Sequence, residues 1–193
     1  MIKKGKVFII SGPSGSGKTT LYKRLLADKS LKNHITKSIS VTTRSKREGE
    51  RHGRDYFFVS HKMFAYKRRA GHFLESMKVF DNYYGTPLKA VKDILKTGKN
   101  VLLCIDVKGA KVVARKIPKS ITIFLQPPDM KELKKRLVAR GSEDQETVKL
   151  RLSVAKDEMK EAGFYDYRVT NDRIDRAYRE LAKIIKNEAK IDI

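Results

Sequence analysis

The chain has 193 residues, of which 40% are hydrophobic, and it carries a formal net charge of +22. This length and composition predict one globular domain with a substantial core and small inserted lobes. The sequence has no run of about 18 apolar residues and no signal-peptide layout at its start, so we expect a cytoplasmic protein with no membrane partner. Its single cysteine, Cys104, excludes an internal disulfide and a cysteine-cluster metal site, and its apolar neighbours predict a buried, unreactive thiol.

The positive charge attracts polyanions of every kind, which makes nucleic acid an alternative ligand. The 44 Lys and Arg residues are spread along the whole chain, however, and many occupy the exposed positions of helical patterns. An aromatic-rich RNA motif, a set of zinc ligands and a basic tail are all missing from the sequence. We therefore expect weak, salt-sensitive binding of polyanions and no dedicated nucleic-acid partner.

Strand and helix patterns alternate along most of the chain. An apolar run from Lys6 to Ser11 leads into a glycine-rich turn and then into a helical pattern that begins near Lys18. Two further runs of strand length, at 100–107 and 120–126, are each followed by a helix-like segment, and a weaker run lies at 167–171. This alternation predicts an α/β fold in which helices cover both faces of a parallel sheet.

Several residues mark expected helix ends. Asp129 is suited to cap the helix that follows it, and Ser142 with Gln145 has the spacing of a capping box for the next helix. Gly98 and Gly141 stand where helices are expected to stop.

Residues 12–19 match the pattern G-x-x-x-x-G-K-[ST] between a predicted strand and a predicted helix. The glycines let several backbone N–H groups point inward, and the helix adds the positive end of its dipole. Lys18 can reach the outer phosphates of a nucleotide, and the Thr19 hydroxyl can ligate the Mg²⁺ that bridges them. The pattern predicts nucleoside triphosphate binding but leaves ATPase, GTPase, motor and kinase open. The predicted ATP-binding residues are Gly12, Pro13, Ser14, Gly15, Ser16, Gly17, Lys18, Thr19 and Thr20.

Residues 36–86 break the alternation and indicate an inserted lobe. They contain segments that, read in order, resemble guanylate kinase: 38–50 (SISVTTRSKREGE), 53–59 (GRDYFFV), 73–75 (FLE) and 82–86 (NYYGT). The similarity extends from about Val7 to Leu181 and includes 105–109 (IDVKG), 134–137, 140–141 and 169–172. It implies Mg²⁺-assisted transfer of the γ-phosphoryl group of ATP to GMP, and also to dGMP.

The resemblance also implies how the chain is divided. A three-layer α/β/α P-loop core is expected at 1–35, 87–135 and 156–193, with a mixed-sheet GMP-binding lobe at 36–86 and a small helical lid at 136–155. These parts form one guanylate kinase-like domain over about 5–187, and we expect a monomer or a homodimer.

The residues of the lobe suit a nucleoside monophosphate. Arg44 and Arg47 can grip a dianionic phosphate with planar guanidinium groups, while Tyr56 and Tyr84 can donate neutral hydrogen bonds to it.

Guanine carries N–H donors at N1 and N2, which one carboxylate can accept together. Glu75 suits that task, whereas Ser40 and Thr86 can donate to O6, where adenine has an amino group instead. The resemblance implies these roles and adds Glu50 and Asp106 to the GMP-binding set.

Arginines in the segment that resembles the family lid can stabilise the transferring phosphoryl group and exclude water. The catalytic residues implied are Lys18, Arg44, Arg136, Arg140 and Arg151, and by resemblance alone Asn171 and Asp172 frame the adenine.

This chain departs from the family pattern at two positions. Cys104 stands where the family usually has an acidic residue, and Asp81 where glycine is common. Asp106 is then left either to support magnesium through water or to close the guanine pocket. Two alternative functions also stay open: a guanylate-kinase-like interaction module without catalysis, and a P-loop kinase that acts on a sugar phosphate.

Overall fold

The computed structural model of the protein describes residues 5–139 and 145–191, which form nine strands and seven α-helices. The core elements are β1 Val7–Ser11, α1 Lys18–Ala27, β2 Ile35–Lys37, α3 Leu88–Lys96, β7 Asn100–Cys104, α4 Val107–Lys116, β8 Ile121–Gln126, α5 Met130–Val138, α6 Gln145–Lys160, a 3-10 turn at Glu161–Phe164, β9 Tyr167–Thr170 and α7 Ile174–Ala189. The lobe elements are β3 Val41–Thr42, β4 Phe57–Phe58, α2 His61–Arg69, β5 Phe73–Val79 and β6 Asn82–Pro87.

Five parallel strands form the core sheet in the order β2-β7-β1-β8-β9. Successive side chains of β1 pack on opposite faces: Phe8 and Ile10 join the cluster under α1 and α7, whereas Val7 and Ile9 join the cluster under α3 and α4. Burial on both faces explains why the strand is apolar throughout. The predicted α/β/α core is confirmed.

The carboxyl ends of these strands meet at one edge of the sheet. The expected strand at 100–107 ends earlier than predicted, at Cys104, because Val107 already begins α4. Asp106 caps this helix, since its Oδ1 accepts a hydrogen bond of 3.0 Å from the N–H of Gly109. Ile105 and Val107 are buried in either case, so the apolar run did not show where the strand stops.

A second, mixed sheet forms the lobe, with strand order β4-β3-β6-β5. Its strands β3 and β4 run parallel, while β6 pairs antiparallel with both β3 and β5. Phe64 of α2 is buried and stacks on Phe73 and Tyr83. Strand β2 belongs to the core sheet, so the lobe boundary expected at residue 36 falls inside a core strand.

Two of the expected helix ends are confirmed. The Oδ1 atom of Asp129 accepts a hydrogen bond of 2.6 Å from the N–H of Glu132, and Gly98 follows the end of α3 with φ 78°. Gly141 and Ser142 lie outside the described residues. In the part of the chain that the structure describes, no helix is long and apolar enough to cross a membrane.

Candidate functional site

The glycines of the loop at 12–19 hold backbone conformations that other residues rarely adopt. Gly12, Gly15 and Gly17 have φ values of 138°, 89° and 95°. A Cβ on Gly12 would lie 2.1 Å from the carbonyl oxygen of Leu125, and one on Gly17 would lie 2.2 Å from Nδ2 of Asn171. The loop is therefore fitted closely between β8 and the residue that follows β9.

Lys18 begins α1, and its Nζ donates to the carbonyl oxygens of Gly12 and Pro13 at 2.6 and 2.9 Å. Its ammonium group thus lies within the curl of the loop. Asn171 supports the other side, because its Nδ2 donates to the carbonyl oxygen of Ser16 at 2.8 Å. Thr19 is exposed in the first turn of α1, where its hydroxyl is accessible.

Of the three predicted lid arginines, Arg151 contacts this loop directly, and Arg136 contacts Asn171, which supports the loop. Arg136 donates from Nε to Glu132 at 2.9 Å and from Nη2 to the carbonyl oxygen of Asn171 at 2.9 Å. Arg151 of α6 reaches the Ser14 hydroxyl from Nη1 at 3.5 Å. Arg140 lies outside the described residues.

The predicted phosphate-binding residues of the lobe are also close together. Nη2 of Arg44 donates to both carboxylate oxygens of Glu50, at 2.8 and 2.9 Å, and the backbone N–H of Arg47 donates to the same carboxylate at 2.9 Å. Burial acts to raise the pKa of Glu50, but these donors outweigh it and lower the pKa. The rings of Tyr56 and Tyr84 lie 6.0 Å apart, with the Arg44 guanidinium 5.6 Å from the Tyr56 ring.

The base pocket contains one buried carboxyl group. Glu75 is 4% exposed, and its Oε1 accepts a hydrogen bond of 2.6 Å from the Thr86 hydroxyl. Its Oε2 is buried and has no hydrogen-bond partner among the described residues. Burial raises the pKa of Glu75 to about 7, the Thr86 hydrogen bond opposes this rise, and the nearby Asp106 carboxylate adds to it.

Thr86 therefore takes a different part from the one expected. A hydroxyl has one hydrogen, and that of Thr86 is directed to Glu75 rather than left for a base. Ser40 is buried at 8% exposure and remains as the expected donor to O6.

Helix α4 brings Asp106 to the base pocket. A Cβ on Gly109 would lie 2.9 Å from Oε2 of Glu75 and 3.4 Å from Oδ2 of Asp106, so the two carboxyl groups border the same point. Gly109 thus leaves room for both. Gly109 belongs to the segment 105–109 that resembles the family, but sequence reasoning gave this glycine no role.

Sequence reasoning also gave no role to Glu158, nor to Lys37, whose contacts are described below. Glu158 is half-buried on α6, two helical turns after Arg151, and that spacing is the signal that could have identified it. Burial raises the pKa of Glu158 to about 7, Lys18 lowers it and Asp106 raises it. Glu158 therefore interacts electrostatically with Lys18 of the phosphate loop and with Asp106.

The expected magnesium ligands fit their task. The exposed Thr19 hydroxyl and the Asp106 carboxylate are oxygen donors of the kind that Mg²⁺ prefers. Within residues 5–139 and 145–191, His, Cys, Asp and Glu form no cluster of three that could hold a metal alone. Cys104 is partly buried beside the cluster under α1, and burial raises the pKa of its thiol.

Comparisons with known proteins identify the family of this chain. The family profile for guanylate kinase matches residues 4–188. Guanylate kinase of Lactiplantibacillus plantarum is 44% identical over 188 residues, which cover 97% of this chain and 90% of that protein. Guanylate kinase of Syntrophomonas wolfei is 45% identical over 185 residues, which cover 96% and 93%. The crystal structure of guanylate kinase from Anaplasma phagocytophilum matches with a TM-score of 0.80 at 31% identity, over 97% of this chain and 87% of that one. The chain belongs to the guanylate kinase family.

Proposed function

We propose that this protein transfers the γ-phosphoryl group of ATP to the phosphate of GMP and yields ADP and GDP. One observation carries the proposal: the phosphate loop and Asp106 follow the neighbouring strands β1 and β7, and Asp106 lies beside a buried carboxyl group, Glu75, whose Oε2 has no partner among the described residues. Family membership supports the same activity. The reaction belongs in the cytoplasm, where both nucleotides are available.

The proposed transfer needs no covalent enzyme intermediate. An oxygen of the GMP phosphate forms a bond to the γ-phosphorus while the bond between that phosphorus and the β–γ bridging oxygen breaks, and its electron pair leaves with ADP. The protein aligns the two phosphates and neutralises their charge. Lys18, Arg136 and Arg151 supply cations on the donor side, and Arg44 supplies one on the acceptor side.

The acceptor phosphate is held by Arg44, Arg47, Tyr56 and Tyr84 in this proposal. Glu50 orients Arg44 through two hydrogen bonds from one guanidinium nitrogen. A preset guanidinium loses less side-chain entropy when phosphate binds, which favours affinity.

Guanine is read by Glu75 and Ser40. The ionised carboxylate accepts the N1 and N2 hydrogens, Thr86 orients that carboxylate, and Ser40 donates to O6. Adenine offers N1 without hydrogen, so it would leave the buried carboxylate unpaired. The position of Asp106 beside Glu75 favours a contact with guanine over a magnesium role.

Magnesium arrives with ATP, and the Thr19 hydroxyl would hold it at the start of α1. A magnesium ion at that hydroxyl would supply positive charge beside the phosphates of ATP. The proposed contacts leave the ribose 2′-hydroxyl unused, so we infer that dGMP is also a substrate. A sugar phosphate has no pairing edge for Glu75, and an interaction module would have no need of the fitted phosphate loop.

The test is a panel of acceptors with ATP and Mg²⁺, in which ADP formation is followed at limiting acceptor. We expect kcat/KM for GMP to exceed that for AMP, CMP and UMP by at least about a hundredfold. Equal values for GMP and AMP would contradict the guanine assignment. Lys18→Ala should lower kcat by about a hundredfold or more, whereas Lys32→Ala, at an exposed lysine beyond α1, should leave it unchanged.

A further inference from the structure

Lys37 joins the phosphate-loop helix to the lobe. It is the last residue of β2, at the carboxyl edge of the core sheet, and its Nζ donates to the Tyr22 hydroxyl of α1 at 2.9 Å. The same Nζ donates to the carbonyl oxygen of Asp55 in the lobe at 3.1 Å. Tyr22 and Asp55 are 6% and 5% exposed, so both partners are held inside the protein. One ammonium group therefore connects the donor side of the cleft with the acceptor side.

The Asp55 carbonyl belongs to the peptide unit that leads into Tyr56. The Asp55 side chain is fixed as well: its carboxylate lies 3.3 Å from Nζ of Lys23 and accepts hydrogen bonds from Nε of Arg54 at 2.8 Å and from the N–H of Arg51 at 2.9 Å. Both the backbone and the side chain of Asp55 are therefore held in place, the carbonyl by Lys37 and the carboxylate by Lys23, Arg51 and Arg54. This fixes the backbone from which the Tyr56 side chain projects.

Two cations lie near the ring of Tyr56. The Lys37 Nζ and the Arg44 guanidinium are each 5.6 Å from the centre of its ring. A cation near a phenol ring attracts it electrostatically and restricts how it can turn. Arg44 belongs to the lobe and Lys37 to the core sheet, so a cation from each part of the protein acts on this ring.

An apolar side chain would fill the space at Lys37 at a lower free-energy cost than an ammonium group. Burial lowers the pKa of Lys37, which reflects the cost of keeping it charged there. The Asp55 and Glu50 carboxylates and Cys104 act in the opposite direction, and Lys23 adds to the lowering. Packing alone therefore does not explain why a charged lysine is present at this position.

We propose that Lys37 is a positioning residue for the acceptor phosphate: tied to Tyr22 and to the Asp55 carbonyl, it holds Tyr56 where that hydroxyl donates to the phosphate of GMP. The proposal rests on the function proposed above through the role of Tyr56. Lys37 does not itself touch the substrate in this account, so its effect on GMP requires the Tyr56 hydroxyl.

The experiment is a double-mutant cycle on Lys37→Met and Tyr56→Phe. The dissociation constant of GMP is measured by calorimetry without ATP, and that of ATP without GMP. We expect each single variant to weaken GMP binding by about tenfold, the effect of losing a hydrogen bond to a charged group. In the Tyr56→Phe background, Lys37→Met should weaken GMP binding by less than about twofold further. ATP binding should change by less than about twofold in all variants.

A full tenfold loss from Lys37→Met in the Tyr56→Phe background would overturn the proposal, because Lys37 would then act independently of Tyr56. Wild-type affinity in Lys37→Met would overturn it too, while leaving GMP phosphorylation by the unaltered protein intact. If the unaltered protein fails to phosphorylate GMP, the proposed function itself fails. Lys62→Met, at an exposed lysine of α2, is the matched control and should bind GMP as the unaltered protein does.

Should Lys37→Met not fold, Tyr22→Phe tests the same connection by removing only the hydroxyl that accepts from Lys37. We expect it to weaken GMP binding by about threefold and to have no further effect in the Tyr56→Phe background. An unchanged GMP affinity in a folded Tyr22→Phe variant would overturn the link between α1 and Tyr56.

Discussion

Glu75 is a carboxyl group whose two oxygens have different surroundings. Thr86 donates to Oε1, whereas Oε2 is buried with no donor among the described residues. Ionisation in this position is costly, which explains why burial raises the pKa of Glu75 to about 7. In the proposed function, N–H donors of guanine would supply what Oε2 lacks, so base recognition would be coupled to ionisation of this carboxyl group.

The proposed coupling predicts that ionisation of Glu75 contributes to the pH dependence of GMP affinity, and Glu75→Gln should remove this contribution. Because the ionised form accepts the guanine hydrogens, GMP affinity should rise as the pH increases through about 7, and a calorimetric titration from pH 6 to 8 measures this. The second ionisation of the GMP phosphate occurs in both proteins and cancels in the comparison. Parallel pH profiles for the two proteins would contradict the prediction.

Ionisation of Glu75 should lower the stability of the protein as the pH rises, whereas it should increase the affinity for GMP. A folded-state pKa above the ordinary value of 4.5 gives stability that is present at low pH and is lost as the pH rises through about 7. The loss is at most about 3 kcal/mol. Urea unfolding should therefore show that Glu75→Gln gains stability relative to the unaltered protein between pH 5 and pH 8.

For single residues, the sequence allowed a role to be predicted where the residues lie in one continuous motif. Gly12 to Thr19 could be assigned because strand, loop and helix follow one another along the chain. The partner of Thr86 could not be assigned, because Glu75 lies on a different strand and only strand pairing brings them together. Lys37 was missed for the same reason, since its contacts with Tyr22 and Asp55 join separate elements.

The unit formed by β1, the phosphate loop and α1 depends on how closely its backbone approaches β8. Leu125 of β8 presents a carbonyl oxygen 2.1 Å from where a Cβ on Gly12 would lie. A backbone atom cannot rotate away as a flexible side chain can. Any residue larger than glycine at this position must therefore displace the loop or the strand.

Gly12→Ala should lower the free energy of unfolding by about 3 kcal/mol or more and abolish ATP binding, as measured by urea unfolding and calorimetry. Gly71→Ala is the matched control: its φ is 69°, but nothing lies within 4 Å of the added Cβ. It should cost only the backbone strain, about 1 kcal/mol, and leave ATP binding unchanged. Equal losses of unfolding free energy in the two variants would contradict the prediction, because the close contact between Gly12 and Leu125 would then not affect stability.

Sequence patterns predicted the long elements of the core well and the short ones poorly. Strands β3 and β4 have only two residues each, too few for any periodicity to be recognised. Their positions depend on pairing with each other and with β6. The end of β7 was misjudged because the buried residues that follow it continue the apolar run into α4.

The whole molecule carries a net charge of +22, far more than its nucleotide site requires. Even if every carboxylate paired with one cation, half of the 44 Lys and Arg residues would stay uncompensated, because the chain has only 22 Asp and Glu residues. A field of this strength acts on any polyanion, and salt screens it.

We predict that a labelled random single-stranded oligonucleotide binds at low ionic strength and loses at least about tenfold in affinity between about 50 and 200 mM salt. Fluorescence anisotropy measures this binding. An excess of GMP should not displace the oligonucleotide, because the attraction comes from the distributed surface charge. Tight binding that persists at high salt would instead indicate a dedicated nucleic-acid site.

The lobe is attached to the core by two neighbouring segments of chain, one entering from β2 to β3 and one leaving where β6 runs into α3 at Pro87. These segments are adjacent, since β3 and β6 pair through Val41 and Gly85. Side-chain hydrogen bonds also hold the lobe to the core, since Lys37 donates to the carbonyl oxygen of Asp55 and Lys116 to that of Leu74. Any displacement that separates the acceptor side from the donor side must therefore break these hydrogen bonds as well as bend the two connecting segments.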